Sequence, residues 1–544
     1  MNFASFALLG AAKTTNVYEV ISFVAYFLLV LSVGIFFFFR GRKDQSEKGY
    51  FLGGRNMGGM VAALSAGASD MSAWVLMGLP GSIALFGLGQ VWISIGLLIG
   101  TVCAWIFVAP RLRRFAIVAG DAITLPEFLS NRFKAKNLTL RISCAVIFVV
   151  GYCIYAASSI VACGDVFHAV VPAIDKKTAM IIIACVILLY TLLGGFSAVC
   201  WTDFFQGMIM LVALMAVPLM ALGVMKASGA VAAPLVEDPN YYNFLSSGKL
   251  DWQSISNILT GFGWGLGYFG MPHILVRYMA IKNEKEMKRS QIMGITWIAV
   301  ILGMATMVGL VAHKFIGGAL TKDNRSEAFI MMIRELFSYG ALALIGGFLL
   351  SAIVAAAMST ADSQLLASSS AFASDIYKTT IRKNASDKEM MWIGRIVVMA
   401  VTVIALVIAL IPQLSNIMSL VSAAWSIFGA SFGPAILLAL FWKRFNYKGA
   451  CAGIITGFAV SVLWMVLFNL EYYGFTSVIY NTNLYEIVPG FIVGMIVCVL
   501  VTLLTEKPAE DVVALFDKVE NFKDEDYMQP VEGAVEATAE AKAE

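Results

Sequence analysis

The sequence predicts an all-α, polytopic membrane protein in which two groups of five helices repeat with inverted topology. Its 544 residues are 60% hydrophobic and only 13% charged, with a mean hydropathy of +0.82. Soluble domains contain about 45–50% apolar and about 25% charged residues. Apolar stretches long enough to cross a bilayer recur along the chain. Two of them, at corresponding places, are interrupted by glycine and proline, as expected where a binding site lies at membrane depth.

The transmembrane segments follow from apolar stretches of about 18 or more residues, each of which can cross the hydrocarbon as a helix. About thirteen are present, and we number them as spans in chain order. They form one predicted domain at 18–506, after an N-terminal segment at 1–17. They lie at roughly 18–40, 58–82, 88–110, 139–170, 177–195, 203–225, 253–279, 289–316, 333–374, 390–412, 415–441, 448–469 and 487–506.

The orientation follows from lysine and arginine, which concentrate in cytoplasmic loops. The loops after the first, third, seventh, ninth and eleventh spans are rich in these residues; the loop after the seventh reads "RYMAIKNEKEMKRS". The alternate loops contain few. We call the side of the rich loops the basic side. The pattern predicts that the basic side is cytoplasmic, with the N-terminus outside and the C-terminus inside.

The tail at 507–544 is acidic, rich in alanine and glutamate, and poor in apolar residues. Such a composition predicts a disordered cytoplasmic tail, in which "PAEDVVALFDKVENF" could form one short surface helix. The sequence contains no Walker motif or kinase signature, which argues against an ATP-driven pump.

Two spans have a composition that favours a break in the helix. The second contains "AALSAGASDMSAWVLMGLPG", with Asp70 in the middle, and the seventh contains "NILTGFGWGLGYFGMPHIL", with five glycines and Pro272. Irregular backbone persists in a membrane only where protein or a cavity surrounds it. An offset of five spans inverts the topology, so the repeats are expected at about 58–225 and 253–441. The alternative is that these glycines only permit close helix packing.

A third polar segment lies in the ninth span, "SAIVAAAMSTADSQLLASSSAF". Ser359 and Thr360 are adjacent hydroxyls, and a broken second span would offer free carbonyls. Na⁺ is a hard cation that prefers oxygen ligands and accepts neutral ones. The pattern therefore predicts a secondary transporter with a site at mid-depth, where these oxygens are candidate ligands for Na⁺. The alternative is that both hydroxyls simply bond the carbonyl four residues back.

These motifs closely resemble the sodium:solute symporter family and, within it, the bacterial sodium/proline symporters. The similarity extends from about residue 18 to about residue 507 and includes "YFLGGRNMGG", "ITLPEFLSNRF", "YTLLGGFSAVCWTDFFQG" and "LYEIVPGFIVG". The resemblance implies a LeuT-type inverted-repeat fold that carries L-proline inward with Na⁺ as the coupling ion and without another cofactor. The alternative is a symporter of the same family for another small amino acid or organic solute.

The resemblance also assigns roles to individual residues. It implies that Asp70 is needed for coupling to Na⁺, that Arg55 before the second span is functionally sensitive, and that Asp203 lies near the inward release path of the ion. For Asp203 the alternative is that it or Thr202 caps the sixth span. The implied sodium ligands are three carbonyls and two hydroxyls, of Ala68, Met71, Ala356, Ser359 and Thr360.

The resemblance implies a proline pocket at the two breaks. A pyrrolidine ring packs well on aromatic faces, and an unwound helix end can hold the carboxylate of a zwitterion. Ala73 stands where the family motif has glycine. The implied pocket residues are Ser72, Trp74, Tyr155, Trp264, Tyr268 and Pro272.

Other classes of protein fit the sequence less well. A channel would need a continuous polar pore, usually built from symmetric subunits, and an enzyme would need a convergent set of acids, bases or metal ligands. The eight cysteines form no CxxC pair, and the three histidines are scattered. The expected partners are L-proline, the sodium ion and the lipid bilayer of a bacterial inner membrane, with no nucleic acid and no obligate protein partner.

Overall fold

The computed structural model describes residues 16–41, 46–193, 195–229, 238–322, 324–337 and 339–525. Each predicted span coincides with a helix or with a broken pair of helices. Their bounds are Val17–Gly41, Gly59–Asp70 with Trp74–Phe86, Leu88–Val118, Thr139–Val170, Lys176–Leu193, Phe196–Ser228, Trp252–Leu266 with Pro272–Met279, Glu284–Phe315, Leu342–Ile381, Asp387–Ala409, Ile417–Phe441, Tyr447–Phe468 and Ile487–Leu504.

Most of these helices have the length and composition of membrane spans. Among the described residues, nine qualify singly, and a tenth qualifies if the bent pair in the second span crosses as one. Within the described ranges, four short α-helices lie outside the spans, at Glu47–Leu52, Leu125–Arg132, Ala328–Phe337 and Glu510–Glu520. Within the described ranges the β-structure is one isolated parallel bridge, between Met57 and Ile281.

Several span boundaries differ from the prediction, among them the end of the third span and the start of the ninth. The third span continues to Val118, so the arginines expected in the following loop lie on its last turns. Arg113 can be buried there because its guanidinium donates to the carbonyls of Ile281 and Lys282, both at 2.7 Å. The ninth span begins at Leu342 and not near 333, because Gly340 adopts a left-handed φ of +54° and separates it from the short helix before it.

The tail forms the short helix that its sequence allowed, at Glu510–Glu520, so the disorder predicted for the tail does not extend to this segment. Its buried side chains, Val512, Leu515, Phe516 and Val519, follow the i, i+3, i+4, i+7 pattern of one helix face. That face packs against the basic-side end of the third span, where the rings of Phe115 and Phe516 are 5.3 Å apart. Residues 1–15 of the predicted N-terminal segment and residues 526–544 of the predicted tail lie outside the described residues.

The core forms around the second span, which packs against the sixth, eighth and ninth spans and the second half of the seventh. The third span lies very close to the first half of the seventh. A Cβ atom at Gly96 would lie 1.9 Å from the Gly261 carbonyl oxygen, and one at Gly100 would lie 2.3 Å from the Gly265 carbonyl oxygen. These glycines therefore serve close packing, as the alternative interpretation expected, whereas Gly267 and Gly270 lie at the break.

Candidate functional site

The second span is broken immediately after Asp70. The helix Gly59–Asp70 ends at Met71, whose ψ is 67°, and the chain continues as a helix from Trp74 at an angle of 59°. The Ser72 N–H, which a continuous helix would direct to the Ala68 carbonyl, instead donates to the Asp70 carbonyl at 2.9 Å. The Ala68 carbonyl is thereby free to accept a bond from another helix.

Four of the five predicted sodium ligands lie together at this break. Ser359 Oγ lies 3.0 Å from the carbonyl oxygens of both Ala68 and Ala356, and Thr360 Oγ1 lies 3.1 Å from that of Ala356. The bond of Thr360 is the ordinary one to the carbonyl four residues back. The bond from Ser359 to the second span is not, because it joins two helices. The fifth, Met71, is fully buried at the break.

Asp70 connects the two broken spans. Its carboxylate is 1% exposed, and Oδ2 accepts a hydrogen bond from the Tyr268 hydroxyl at 2.5 Å. Among the described residues, Oδ1 has no hydrogen-bond partner. A buried polar atom without a partner costs about 1–3 kcal/mol, and more when it is charged. The hydrogen bond between Asp70 and Tyr268 thus links the break in the second span to the seventh span.

The seventh span is broken at the corresponding place. The helix Trp252–Leu266 tightens into a 3₁₀ turn at Gly267–Phe269, Met271 is extended, and a new helix begins at Pro272. Proline suits the first position of a helix because the N–H that it lacks would have no intrahelical partner there. The 3₁₀ turn directs the Tyr268 hydroxyl to Asp70.

The predicted pocket residues are all buried, and three of them lie close together. The rings of Trp74 and Trp264 stack at 5.8 Å with an angle of 25°, and Tyr268 lies beside both breaks. The ring of Tyr155 is 6.0 Å from that of His273, next to Pro272. Ser72 is buried at the break, where its Oγ accepts a bond from the Trp74 N–H at 3.3 Å.

Sequence reasoning missed two aromatic residues of this cluster. Trp425, in the eleventh span, donates from Nε1 to the Trp264 carbonyl at 2.8 Å and meets the Tyr268 ring edge-on at 5.4 Å. Tyr485, just before the thirteenth span, lies 5.1 Å from the Trp264 ring. The available signals were a lone tryptophan in "VSAAWSIFGASFG" and the tyrosine of "LYEIVPG".

Asp203 belongs to a buried ion-pair cluster, and the capping alternative is wrong because the sixth span begins at Phe196. Asp203 Oδ2 accepts from Ser65 Oγ at 2.6 Å and from Arg277 Nη2 at 2.8 Å. Arg277 also donates to Ser363 Oγ at 2.5 Å. We name Ser65, Asp203, Arg277 and Ser363 the inner cluster. Its residues lie nearer to the basic side than the sodium ligands do. Sequence reasoning missed Arg277, an isolated charge in "PHILVRYM".

Arg55 is not brought to the sodium ligands. It is buried at the basic side with a left-handed φ of +54°. It donates to Asp121 Oδ1 at 2.7 Å and to the carbonyls of Met279 and Ala122, both at 2.5 Å. Burial alone would raise the pKa of Asp121, but the hydrogen bond from Lys48 and the charge of Arg55 lower it below its usual value. Arg55 thus connects the start of the second span to the end of the seventh.

Two broken helices of opposite direction, joined by a buried carboxylate beside converging oxygens and aromatic rings, define a secondary transporter with its site at mid-depth. The sequence model of the "Sodium:solute symporter family" matches residues 50–457, which is more than half of the chain. The protein belongs to that family. It is therefore a multi-pass membrane transporter and not an enzyme.

Several relatives match nearly the whole chain. The osmoregulated proline transporter OpuE of Bacillus subtilis is 40% identical over 92% of this chain and 98% of its own. The high-affinity proline transporter PutP of the same organism is 41% identical over 90% and 98%. A sodium/proline symporter of Staphylococcus aureus is 40% identical over 92% and 96%.

The fold has a counterpart among solved structures. A Na⁺-coupled sialic acid symporter in a substrate-bound outward-open state superposes with a TM-score of 0.72. The match covers 91% of this chain and 99% of the other, at 18% sequence identity. At that identity the similarity concerns the fold alone, and it confirms the LeuT-type inverted-repeat fold implied by the resemblance.

Proposed function

We propose that this protein carries L-proline inward across the bacterial cytoplasmic membrane, driven by the Na⁺ gradient, by alternating access. The observation that carries the proposal is the meeting of Ser359 Oγ and the freed Ala68 carbonyl at the same break that holds Asp70 and Trp74. The oxygens suited to a cation and the rings suited to a small apolar solute are thus on one structural element. Three relatives of about 40% identity that are named for proline transport support the choice of substrate.

The proposed sodium ligands are the carbonyls of Ala68, Met71 and Ala356 and the hydroxyls of Ser359 and Thr360. All are neutral, which suits a singly charged hard cation that must also leave. Both hydroxyls already point at carbonyls of this set, so rotating the O–H bonds would turn their lone pairs toward the ion. Na⁺ supplies the positive charge that compensates the buried carboxylate of Asp70 nearby.

The proposed proline site is formed by Ser72, Trp74, Tyr155, Trp264, Tyr268 and Pro272. The stacked indoles of Trp74 and Trp264 offer apolar faces for the pyrrolidine ring. Unpaired N–H groups at a helix start are the natural partners of the proline carboxylate. Ala73, 1% exposed next to Trp74, adds a methyl group to this region.

Coupling would operate through the two breaks together. Sodium binding orders the break in the second span, and the bond between Asp70 and Tyr268 transmits that order to the seventh span, which carries Trp264. The inner cluster lies between the site and the basic side and joins the second, sixth, seventh and ninth spans. We therefore assign Asp203 a role in opening the inward path, and Arg55 a role in holding the basic-side ends of the second and seventh spans in register.

The test is uptake of radiolabelled proline by vesicles that contain the protein, with an inward Na⁺ gradient or the same gradient of K⁺. The proposal predicts accumulation with Na⁺ only, and inhibition by excess unlabelled proline. Accumulation that is inhibited better by another amino acid or organic solute would identify the alternative substrate within the family. Uptake that is equal with Na⁺ and K⁺ would refute sodium coupling.

A further inference from the structure

The thirteenth span lies outside both repeats, yet a residue just before it, Tyr485, contacts the aromatic cluster. Tyr485 is 6% exposed, and its ring lies 5.1 Å from that of Trp264 at an angle of 30°. Its hydroxyl donates to the Ser422 carbonyl of the eleventh span at 2.8 Å. Its N–H donates to Thr260 Oγ1 of the seventh span at 3.2 Å. The position of Tyr485 is therefore set by both helices that hold the cluster.

The next residue, Glu486, is a carboxylate that is 1% exposed. Its Oε1 accepts from the Tyr473 hydroxyl and from Ser426 Oγ at 3.3 Å, and its Oε2 accepts from Asn469 Nδ2 at 2.9 Å. Among the described residues it forms no ion pair with a lysine, arginine or histidine. Burying an unpaired carboxylate is costly even when it is hydrogen-bonded. An apolar residue would pack at this position at lower cost, so packing alone does not explain the glutamate.

The bonds of Glu486 align the thirteenth span with the eleventh. Ser426 lies one turn beyond Ser422 on the same helix face, so Glu486 and Tyr485 form hydrogen bonds with two successive turns of that helix. Trp425, between these two serines, holds the Trp264 carbonyl. The eleventh and thirteenth spans are in close contact, because a Cβ at Gly429 would lie 2.4 Å from Ile487. A small displacement of the thirteenth span would therefore be transmitted to the eleventh.

We propose that Tyr485 is a further wall residue of the substrate site and that Glu486 is a positioning residue, which holds Tyr485 against Trp264. The span outside the repeats then tunes affinity for the solute and leaves the sodium ligands alone. This inference rests on the proposed function of the aromatic cluster. It differs from that proposal because it concerns two residues that belong to neither repeat.

The experiment measures initial uptake rates over a range of proline concentrations at saturating Na⁺. An aromatic pair contributes about 0.5–1.5 kcal/mol beyond its buried area, so Tyr485→Ala and Glu486→Ala should each raise KM for proline, by up to about tenfold. The Na⁺ concentration for half-maximal uptake should stay unchanged. Tyr480→Ala, at a tyrosine that is 63% exposed nearby, is the matched control and should leave both values unchanged.

Two further variants separate positioning from general packing. Because Glu486 acts through Tyr485, the double variant Tyr485→Ala/Glu486→Ala should show no larger KM than Tyr485→Ala alone. Glu486→Gln keeps one acceptor oxygen and should restore most of the wild-type KM. If Glu486→Ala does not reach the membrane, the test uses Glu486→Gln and Tyr485→Phe instead. Both are expected to raise KM by less than the alanine variants do.

Three results would overturn the inference. They are a fall in maximal rate at unchanged KM, multiplicative effects in the double variant, and a matching rise in half-saturating Na⁺. If the wild type shows no Na⁺-driven proline uptake but carries another solute, the choice of proline fails. The same comparison of KM values for that solute then still decides the role of Tyr485.

Discussion

Thr360→Ala tests the sodium site with little disturbance of the fold. Within the part of the chain that the structure describes, the Thr360 hydroxyl makes one hydrogen bond, to the Ala356 carbonyl of its own helix, so its loss should cost the folded state little. A polar bond to a charged partner contributes about 1.5–3 kcal/mol. Removing one oxygen ligand should therefore raise the Na⁺ concentration for half-maximal uptake by about 10- to 150-fold, at an unchanged level of protein in the membrane.

The assay is initial proline uptake as a function of Na⁺ at fixed ionic strength, with choline as the replacing cation. Thr360→Ser, which keeps the hydroxyl, should retain a nearly normal Na⁺ dependence. Ser368→Ala is the matched control, because the Ser368 hydroxyl lies on the same helix and donates to the Leu365 carbonyl, at 2.9 Å. The reasoning is refuted if Thr360→Ala has the Na⁺ dependence of the wild type, or if Ser368→Ala is shifted as much.

Three other substitutions test separate parts of the account. Asp70→Asn keeps the shape of the side chain and the bond to Tyr268 but removes the charge, so it should abolish Na⁺-stimulated uptake. Asp70→Glu keeps the charge and should retain some of that uptake. Normal Na⁺-dependent uptake by the Asn variant would show that the charge is not needed. Asp203→Asn leaves the Arg277 guanidinium buried without its countercharge, which costs about 3–5 kcal/mol. The melting temperature of the detergent-solubilised protein should therefore fall clearly. An unchanged melting temperature would show that the ion pair does not stabilise the fold. Phe516→Ala should release the helix Glu510–Glu520, because it removes a ring that packs against Phe115 and lies 4.8 Å from the Arg111 guanidinium. We expect faster proteolysis of the tail while uptake is preserved. An unchanged rate of proteolysis would contradict this packing.

The positions of the spans and of their breaks could be predicted because they depend on local sequence. An apolar stretch of sufficient length has to be helical in a bilayer. The "SAGASDMSA" segment contains a glycine, three serines and an aspartate, and "GLGYFGMP" contains three glycines and a proline, all of which favour helices less than alanine does; the structure breaks both. The adjacent hydroxyls of Ser359 and Thr360 were recognisable for the same local reason. Their convergence with the Ala68 carbonyl depended in addition on the inverted repeat.

Contacts between distant parts of the chain could not be predicted in the same way. Arg277 and Asp203 form an ion pair across two spans, and only the packing of four helices brings them together. Trp425 lies in an apolar span and Tyr485 lies just before one, so neither was distinguishable from a core residue. The sequence allowed for the tail helix, but its packing against the third span could not be predicted, because an apolar helix face does not reveal its partner surface.

The most direct test of sodium-coupled proline transport uses purified protein in sealed proteoliposomes without other transporters. An imposed inward Na⁺ gradient should drive accumulation of labelled proline, and an imposed inward proline gradient should drive entry of labelled Na⁺. Thr360→Ala should weaken both fluxes at low Na⁺ and recover them at high Na⁺. Proline entry that carries no Na⁺ with it, or that is unaffected by removing Na⁺, would contradict the account.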